Sequence, residues 1–198
     1  MEIAVTGHTG FIGRNLVEEF KRQGYNPILI DKNFTPVKCD RIYHLACPAT
    51  TYHITNNTIS VMDAILDLTR KAMNICSDAL FVNASSFGAA DINESKQGGY
   101  NVAKRCMEIY LSHSKINYIN YRIPSVYGQD ASTDSFIKRC VLGTAYKPTN
   151  SSQIWPISHV DDVVEALINL SEIKIEYITL GEIYEQFTSG KRNLIKHE

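Results

Sequence analysis

The chain has 198 residues, 44% of them hydrophobic, and 20 basic side chains against 21 acidic ones leave a net charge of −1. That length supports one domain with a real core and room for a small appendage. The interspersed charges leave no basic block for nucleic acid, and no apolar run approaches the roughly 20 residues needed to span a bilayer. The opening EIAVTG has neither a charged lead nor an apolar signal core, so a cytoplasmic protein is expected. The five cysteines (39, 47, 76, 106 and 140) lack any C-x-x-C spacing and read as reduced, mostly buried thiols rather than a disulfide frame. The six histidines do not cluster at ligand spacing, and no metal is expected.

Apolar runs alternate with helical patterns along the chain. EIAVTG reads as a short buried strand, and FIGRNLVEEFKRQG as a helix with Phe11, Ile12, Leu16, Val17 and Phe20 on its buried side, stopped at Gly24. PILID and DRIYHLA are the next two strands. TISVMDAILDLTRKAMNIC places Ile59, Met62, Leu66, Thr69, Met73 and Cys76 at steps of three and four, a helix with one buried stripe. ALFVNAS is a strand, YNVAKRCMEIYLSHS a helix and INYINYRIP a strand. Beyond Pro124, SFIKRCVLG and VDDVVEALINLSE look helical and IEYITLG is a short strand. Strand–helix alternation with continuously apolar strands predicts a doubly wound α/β fold, a parallel sheet covered on both faces. The expected division is a sheet-forming region at 1–128 and a small C-terminal lobe at 129–198, interleaved into one compact unit.

The first strand–helix turn, VTGHTGFIG, carries Gly7, Gly10 and Gly13. In a dinucleotide site one such glycine makes the tight turn, one admits pyrophosphate to the backbone and one lets helix and strand pack closely. The helix N-terminus then offers free N–H groups and a partial positive charge. Asp31 closes the second strand, where a carboxylate accepts hydrogen bonds from the adenosine ribose and repels a 2′-phosphate, which favours NAD over NADP; Lys32 beside it can soften that preference. Tyr100 and Lys104 stand four apart in a helical segment, on one face. An ammonium beside a phenol favours the phenolate, which would let Tyr100 act as a base. Asp161 and Asp162 read as helix-opening carboxylates.

These residues together resemble the extended short-chain dehydrogenase/reductases that modify nucleotide sugars. The features shared are the TGxxGxxG turn at 6–13, the acidic residue at 31, HLA at 44–46, Ser85 at the end of the fourth strand, Y-x-x-x-K at 100–104, RIPSVYG at 122–128 and HVDDVVEAL at 159–167. DKNFTPVK, IYHLACPAT and YNVAKRCME are similar to segments of one branch, the UDP-glucuronate decarboxylases that make UDP-xylose. The resemblance implies a Rossmann-type sheet with a trimmed C-terminal substrate lobe, with NAD held by Gly7, Gly10, Phe11, Ile12, Gly13, Asp31, Lys32, Asn33, Leu45, Ala46, Cys47, Tyr100 and Lys104. It gives catalysis to Tyr100, Lys104 and Ser85, and substrate contacts to Ser85, Ser86, Tyr52 and Ser125, with His53 on the same loop as Tyr52. His44 reads as structural. A homodimer paired through the helices at 58–76 and 99–114 is implied as well.

Departures from that pattern accompany the match. FTPVK runs almost directly into CDRIYHLA, so the family's third strand is missing. Phe87 stands where the decarboxylases and dehydratases place a glutamate, and Trp155 where an arginine meets substrate phosphates. Without that glutamate, dehydration is disfavoured, whereas oxidation at C4 followed by loss of carbon dioxide from a 4-keto uronic acid needs little further acid–base help. UDP-glucuronate decarboxylation is therefore the leading expectation. C4 epimerisation or reduction of another nucleotide sugar, and a non-catalytic NAD-binding protein, are the alternatives.

Overall fold

The computed structural model describes residues 1–48, 58–75, 78–90 and 99–194, and the chain forms two compact units, Met1–Ile123 and Pro124–Glu198. The first unit contains β1 (Ile3–Thr6), α1 (Phe11–Arg22), β2 (Ile28–Ile30), β3 (Arg41–His44), α2 (Thr58–Ile75), β4 (Leu80–Ser86), a 3₁₀ turn at Phe87–Ala89, α3 (Gly99–Ser112) and β5 (Tyr118–Ile123). Its five strands form one parallel sheet in the order β2-β1-β3-β4-β5.

Alternation along β3 shows how both faces are covered. Tyr43 points to α1, where Phe20 meets it edge-on with ring centroids 5.3 Å apart, beside buried Leu16 and Val17. Ile42 points the other way, into a core with Phe81 of β4, Val61, Ile65 and Met73 of α2, and Ala103, Met107 and Leu111 of α3. The doubly wound expectation holds. Gly24, at φ +84, ends α1 in the left-handed conformation expected of a terminating glycine. Residues 31–40 join β2 to β3 with no strand between them, as the missing third strand requires. One expectation fails here: Cys39 is disulfide-bonded, whereas Cys47, Cys106 and Cys140 are free.

The second unit contains β6 (Ser125–Tyr127), α4 (Phe136–Val141), β7 (Ile154–His159), α5 (Val160–Asn169), β8 (Glu176–Thr179) and α6 (Leu180–Thr188). β7 is central, parallel to β6 and antiparallel to β8. The units divide between Ile123 and Pro124, ahead of the expected boundary after Gly128, because β6 takes its ladder partner from β7. The expected strand at 175–181 ends at Thr179, which opens α6 instead. Its hydroxyl accepts the Glu182 N–H while the Glu182 carboxylate takes the Thr179 N–H, a capping box whose T-x-x-E signature is present in the sequence. Tyr127, Ile157, Ile178, Ile183 and Phe187 form the core of this unit. Arg192 closes it, donating to both Glu176 oxygens at 2.8 and 2.6 Å and to the Tyr127 hydroxyl at 2.5 Å.

Candidate functional site

The glycine turn after β1 is shaped by contacts that exclude side chains. Gly7 has φ +69, and a Cβ on it would lie 2.5 Å from the Ala46 nitrogen; a Cβ on Gly13 would lie 2.1 Å from the Gly7 carbonyl oxygen. Gly10 sits at the helix N-cap with no side-chain cap and no acidic residue in the first turn of α1, so the N–H groups there face no competing anion of the chain's own. Phe11 and Ile12, in that first turn, are half-buried. The Leu45 N–H reaches back to the Thr6 carbonyl at 3.3 Å, which fixes the backbone of 45–46 against Gly7. This is a cradle that a dinucleotide pyrophosphate fits. Asp31 lies beyond it, its side chain 83% exposed and 3.7 Å from His8 Nε2; Lys32 and Asn33 are exposed beside it.

Behind the cradle a buried chain of hydrogen bonds orders the loop. The Ala46 N–H donates to Thr6 Oγ1, Thr6 Oγ1 lies 2.9 Å from His44 Nδ1, and His44 Nε2 lies 3.2 Å from Thr69 Oγ1, which donates to the Ile65 carbonyl. One proton assignment satisfies every link: neutral His44 with hydrogen on Nε2, accepting from Thr6 at Nδ1. Burial, with the nearby Lys104 charge, pushes His44 down to about 3, so the ring is neutral across the physiological range. His44 is structural, as expected.

Helix α3 lies along the end of β4 through Asn101, Lys104 and Glu108, spaced i, i+3, i+7 on one face. Lys104 Nζ, buried, donates to the Ala84 carbonyl at 2.7 Å. Its ammonium also stands 5.7 Å from the centre of the Tyr100 ring. Burial pushes the Cys47 thiol up, and Lys104 and Tyr100, both next to it, pull it down against that rise. The phenol, ammonium and thiol thus meet, as the sequence predicts for Tyr100 and Lys104. The electrostatics differ from the expectation. Burial, then Cys47, push the Tyr100 phenol well above its ordinary value, while burial pulls Lys104 down against the opposing pull of Cys47. Loss of water and the neighbouring thiol both favour the protonated phenol.

Ser85 is 3% exposed, and its hydroxyl donates to Glu108 Oε1 at 2.5 Å. Arg122, opposite Ser85 in the β4–β5 ladder, gives that carboxylate bonds of 3.0 and 2.8 Å, and Arg105 adds one of 3.0 Å. Burial raises Glu108, but the bonds from Arg122, Ser85 and Arg105 outweigh it and hold the carboxyl below its usual range. The Ser85 hydroxyl hydrogen is therefore spent on structure. Its neighbour Ser86, half-buried at the strand end, donates to Asn101 Oδ1 at 3.2 Å in the turn that carries Tyr100. Glu108, Arg122 and Asn101 were missed by the sequence reading. The signal was available in the i, i+4, i+8 succession of Tyr100, Lys104 and Glu108.

Tyr52 and His53 lie outside the described residues. Ser125 belongs to the second unit, where the Trp155 indole N–H donates to its hydroxyl and the indole stacks on Phe136 at 6.4 Å. Asp161 and Asp162 occupy the first turn of α5, whose N-cap is His159. Among the described residues no helix is long and apolar enough to cross a membrane.

Residues 3–176 match the NAD dependent epimerase/dehydratase family. The CDP-abequose synthase of Salmonella typhimurium is 26% identical, over 88% of this chain and 71% of that protein. UDP-glucuronic acid decarboxylase 6 of Arabidopsis thaliana is 25% identical, over 87% of this chain and 66% of that protein, so a third of it has no counterpart in the alignment. The Thermus thermophilus UDP-glucose 4-epimerase, solved in complex with NAD, shares the fold with a TM-score of 0.75 at 18% identity, over 96% of this chain and 83% of that one.

Three outcomes test this geometry. Gly13→Ala forces a methyl into the Gly7 carbonyl and is expected to abolish NAD binding by calorimetry, with a loss of about 1–3 kcal/mol in stability. Glu108→Ala leaves four donors from three residues without their acceptor and is expected to cost about 2–4 kcal/mol by urea unfolding. For His44 the folded value lies below the unfolded one. The unfolded chain takes up a proton below 6.5 that the folded one refuses until about 3, so stability falls as pH drops through that window. The expected loss is about 3 kcal/mol between pH 7 and pH 4 on this account, and His44→Asn should flatten the slope.

Proposed function

The chain belongs to the NAD dependent epimerase/dehydratase family, and on that premise we propose that it is an NAD-retaining UDP-glucuronate decarboxylase yielding UDP-xylose. The observation that carries this reading is the Tyr100–Lys104 pair beside the end of β4, with Ser86 at the strand terminus.

Bound NAD would accept and return the hydride at the sugar's C4, and its positively charged ring would favour the Tyr100 phenolate. Gly7, Gly10, Phe11, Ile12 and Gly13 would hold the pyrophosphate end, with Asp31, Lys32 and Asn33 at the ribose and Leu45, Ala46 and Cys47 along the opposite wall. Tyr100 takes the C4 hydroxyl proton and later restores it. Lys104, anchored on Ala84, holds its charge beside the phenol. Ser86 takes over from Ser85 as the hydroxyl that orients the C4 oxygen. Once C4 is a ketone, the C6 carboxylate is β to it. The C5–C6 bond breaks with its electrons running into the ketone, carbon dioxide leaves and C5 is reprotonated. The cleavage itself needs no added acid or base, so it does not depend on the glutamate that Phe87 replaces.

C4 epimerisation is the second reading, because it needs the same phenol, ammonium and serine and nothing at position 87. A homodimer paired through α2 and α3 accompanies either reading, supported by the outward Ile59, Ile109 and Tyr110, which are 76%, 48% and 52% exposed.

Incubation with UDP-glucuronate and, separately, UDP-glucose, with products read by mass spectrometry, tests the assignment. Release of carbon dioxide from UDP-glucuronate is expected, with Tyr100→Phe lowering turnover by about 10²–10⁴-fold. An isomer of unchanged mass from UDP-glucose would establish epimerisation instead, and full turnover by Tyr100→Phe would overturn both.

A further inference from the structure

The end of β4 carries a hydrogen-bond arrangement that the reading above leaves unexplained. Ser86 Oγ accepts the Gly88 N–H at 3.2 Å and donates its single hydrogen to Asn101 Oδ1 at 3.2 Å. With both bonds made, the hydroxyl has only a lone pair left to offer a bound molecule. Such a group can accept a hydrogen bond from a sugar alcohol but cannot donate one to a ketone.

Position 88 shows that the Asn101 placement is built in. A Cβ on Gly88 would stand 2.4 Å from Asn101 Nδ2 and 2.6 Å from both Cγ and Oδ1, so the carboxamide lies directly against the glycine. Gly88 has no left-handed φ that would demand glycine for backbone reasons. The side chain above it makes the demand. Asn101 in turn directly follows Tyr100 in the first turn of α3, so the hydroxyl, its acceptor and the proposed base are fixed to one another through two elements.

We propose that Asn101 is a positioning residue: it holds the Ser86 hydroxyl hydrogen while the substrate is an alcohol and releases it to the C4 oxygen when that oxygen becomes a carbonyl. The proposal rests on Ser86 being the substrate-orienting hydroxyl of the decarboxylase or epimerase reading. In the alcohol complex the C4 O–H donates to Tyr100, which takes that proton, and Ser86 donates to Asn101. In the keto complex the Ser86 O–H rotates to the carbonyl and Asn101 Oδ1 loses its donor. Asn101 thereby weights the balance between the two bound states, favouring the alcohol by the strength of one hydrogen bond.

The balance is read in the whole 198-residue chain as the fraction of reduced nicotinamide absorbance after NAD and UDP-glucuronate are added. Asn101→Ala is expected to raise that fraction about fivefold, the worth of one hydrogen bond. Gly88→Ala should do the same by pushing the carboxamide aside without altering Ser86, Asn101 or the Tyr100–Lys104 pair. Because the displaced atoms are the far end of a side chain, Gly88→Ala should melt within a few degrees of wild type. Asn101→Asp keeps an acceptor and drops the donor, so it should hold the fraction at or below the wild-type value. In parallel, the Asn101 side-chain amide resonances, recorded without cofactor, should move in Ser86→Ala.

An unchanged fraction in both Asn101→Ala and Gly88→Ala overturns the proposal, as does Asn101→Asp behaving like Asn101→Ala or an Asn101 resonance indifferent to Ser86→Ala. If wild type reduces its nicotinamide with no nucleotide sugar, the functional reading falls and takes the proposal with it; a wild-type signal that the variants fail to change overturns the proposal alone.

Discussion

The first unit is arranged around an ammonium group taken out of water. Lys104 gives up hydration that costs several kcal/mol to lose and recovers it through the Ala84 carbonyl at 2.7 Å, the Cys47 sulfur and the face of Tyr100. That carbonyl lies just past the β3 ladder, which stops at Asn83, while β5 pairs on to Ser86 and holds the strand end on its other side. The arrangement leaves α3 no freedom of register. A shift by one residue would strand the ammonium and turn Asn101 and Glu108 away from the serines they meet.

Glu108 and Asp31 show two uses of a carboxylate within this unit. Glu108, 5% exposed, is surrounded by donors from Ser85, Arg105 and Arg122 and binds a helix to two strands. Asp31 stands 83% exposed at a strand end, beside a glycine turn. The first is satisfied and unavailable to any ligand, and the second is free to accept from one. The adjacent serines also differ: the Ser85 hydroxyl is consumed by Glu108, while Ser86 gives its hydrogen to Asn101.

Much of this was legible in the chain itself, for identifiable reasons. Strand–helix alternation and continuously apolar strands gave the parallel sheet. The spacing of Gly7, Gly10 and Gly13 marked the cradle, since only glycine tolerates φ +69 and a carbonyl 2.1 Å from a would-be Cβ. The meeting of Tyr100 and Lys104 followed from helical geometry. What was not legible depended on burial and on partners distant in sequence. A serine's motif position does not tell whether its hydrogen goes to a substrate or to a glutamate 23 residues away. The direction of the Tyr100 shift likewise depends on how much water the fold removes, which no spacing encodes. In the second unit, β6, β7 and α6 escaped notice because their segments are short and irregular in pattern, although the capping box at Thr179 marked the last of them.

The missing strand between β2 and β3 changes what the sheet presents at its margin. In a longer sheet β2 would be flanked on both sides; among the described residues it is the terminal strand, with Leu29 42% exposed. A naked ladder of amides invites pairing with another chain, the usual route from an open edge to aggregation. Three residues are too few to template such an addition, and the charged, solvent-facing Asp31 and Lys32 follow at once. The shortness of this strand and the charges after it let the sheet do without its cover.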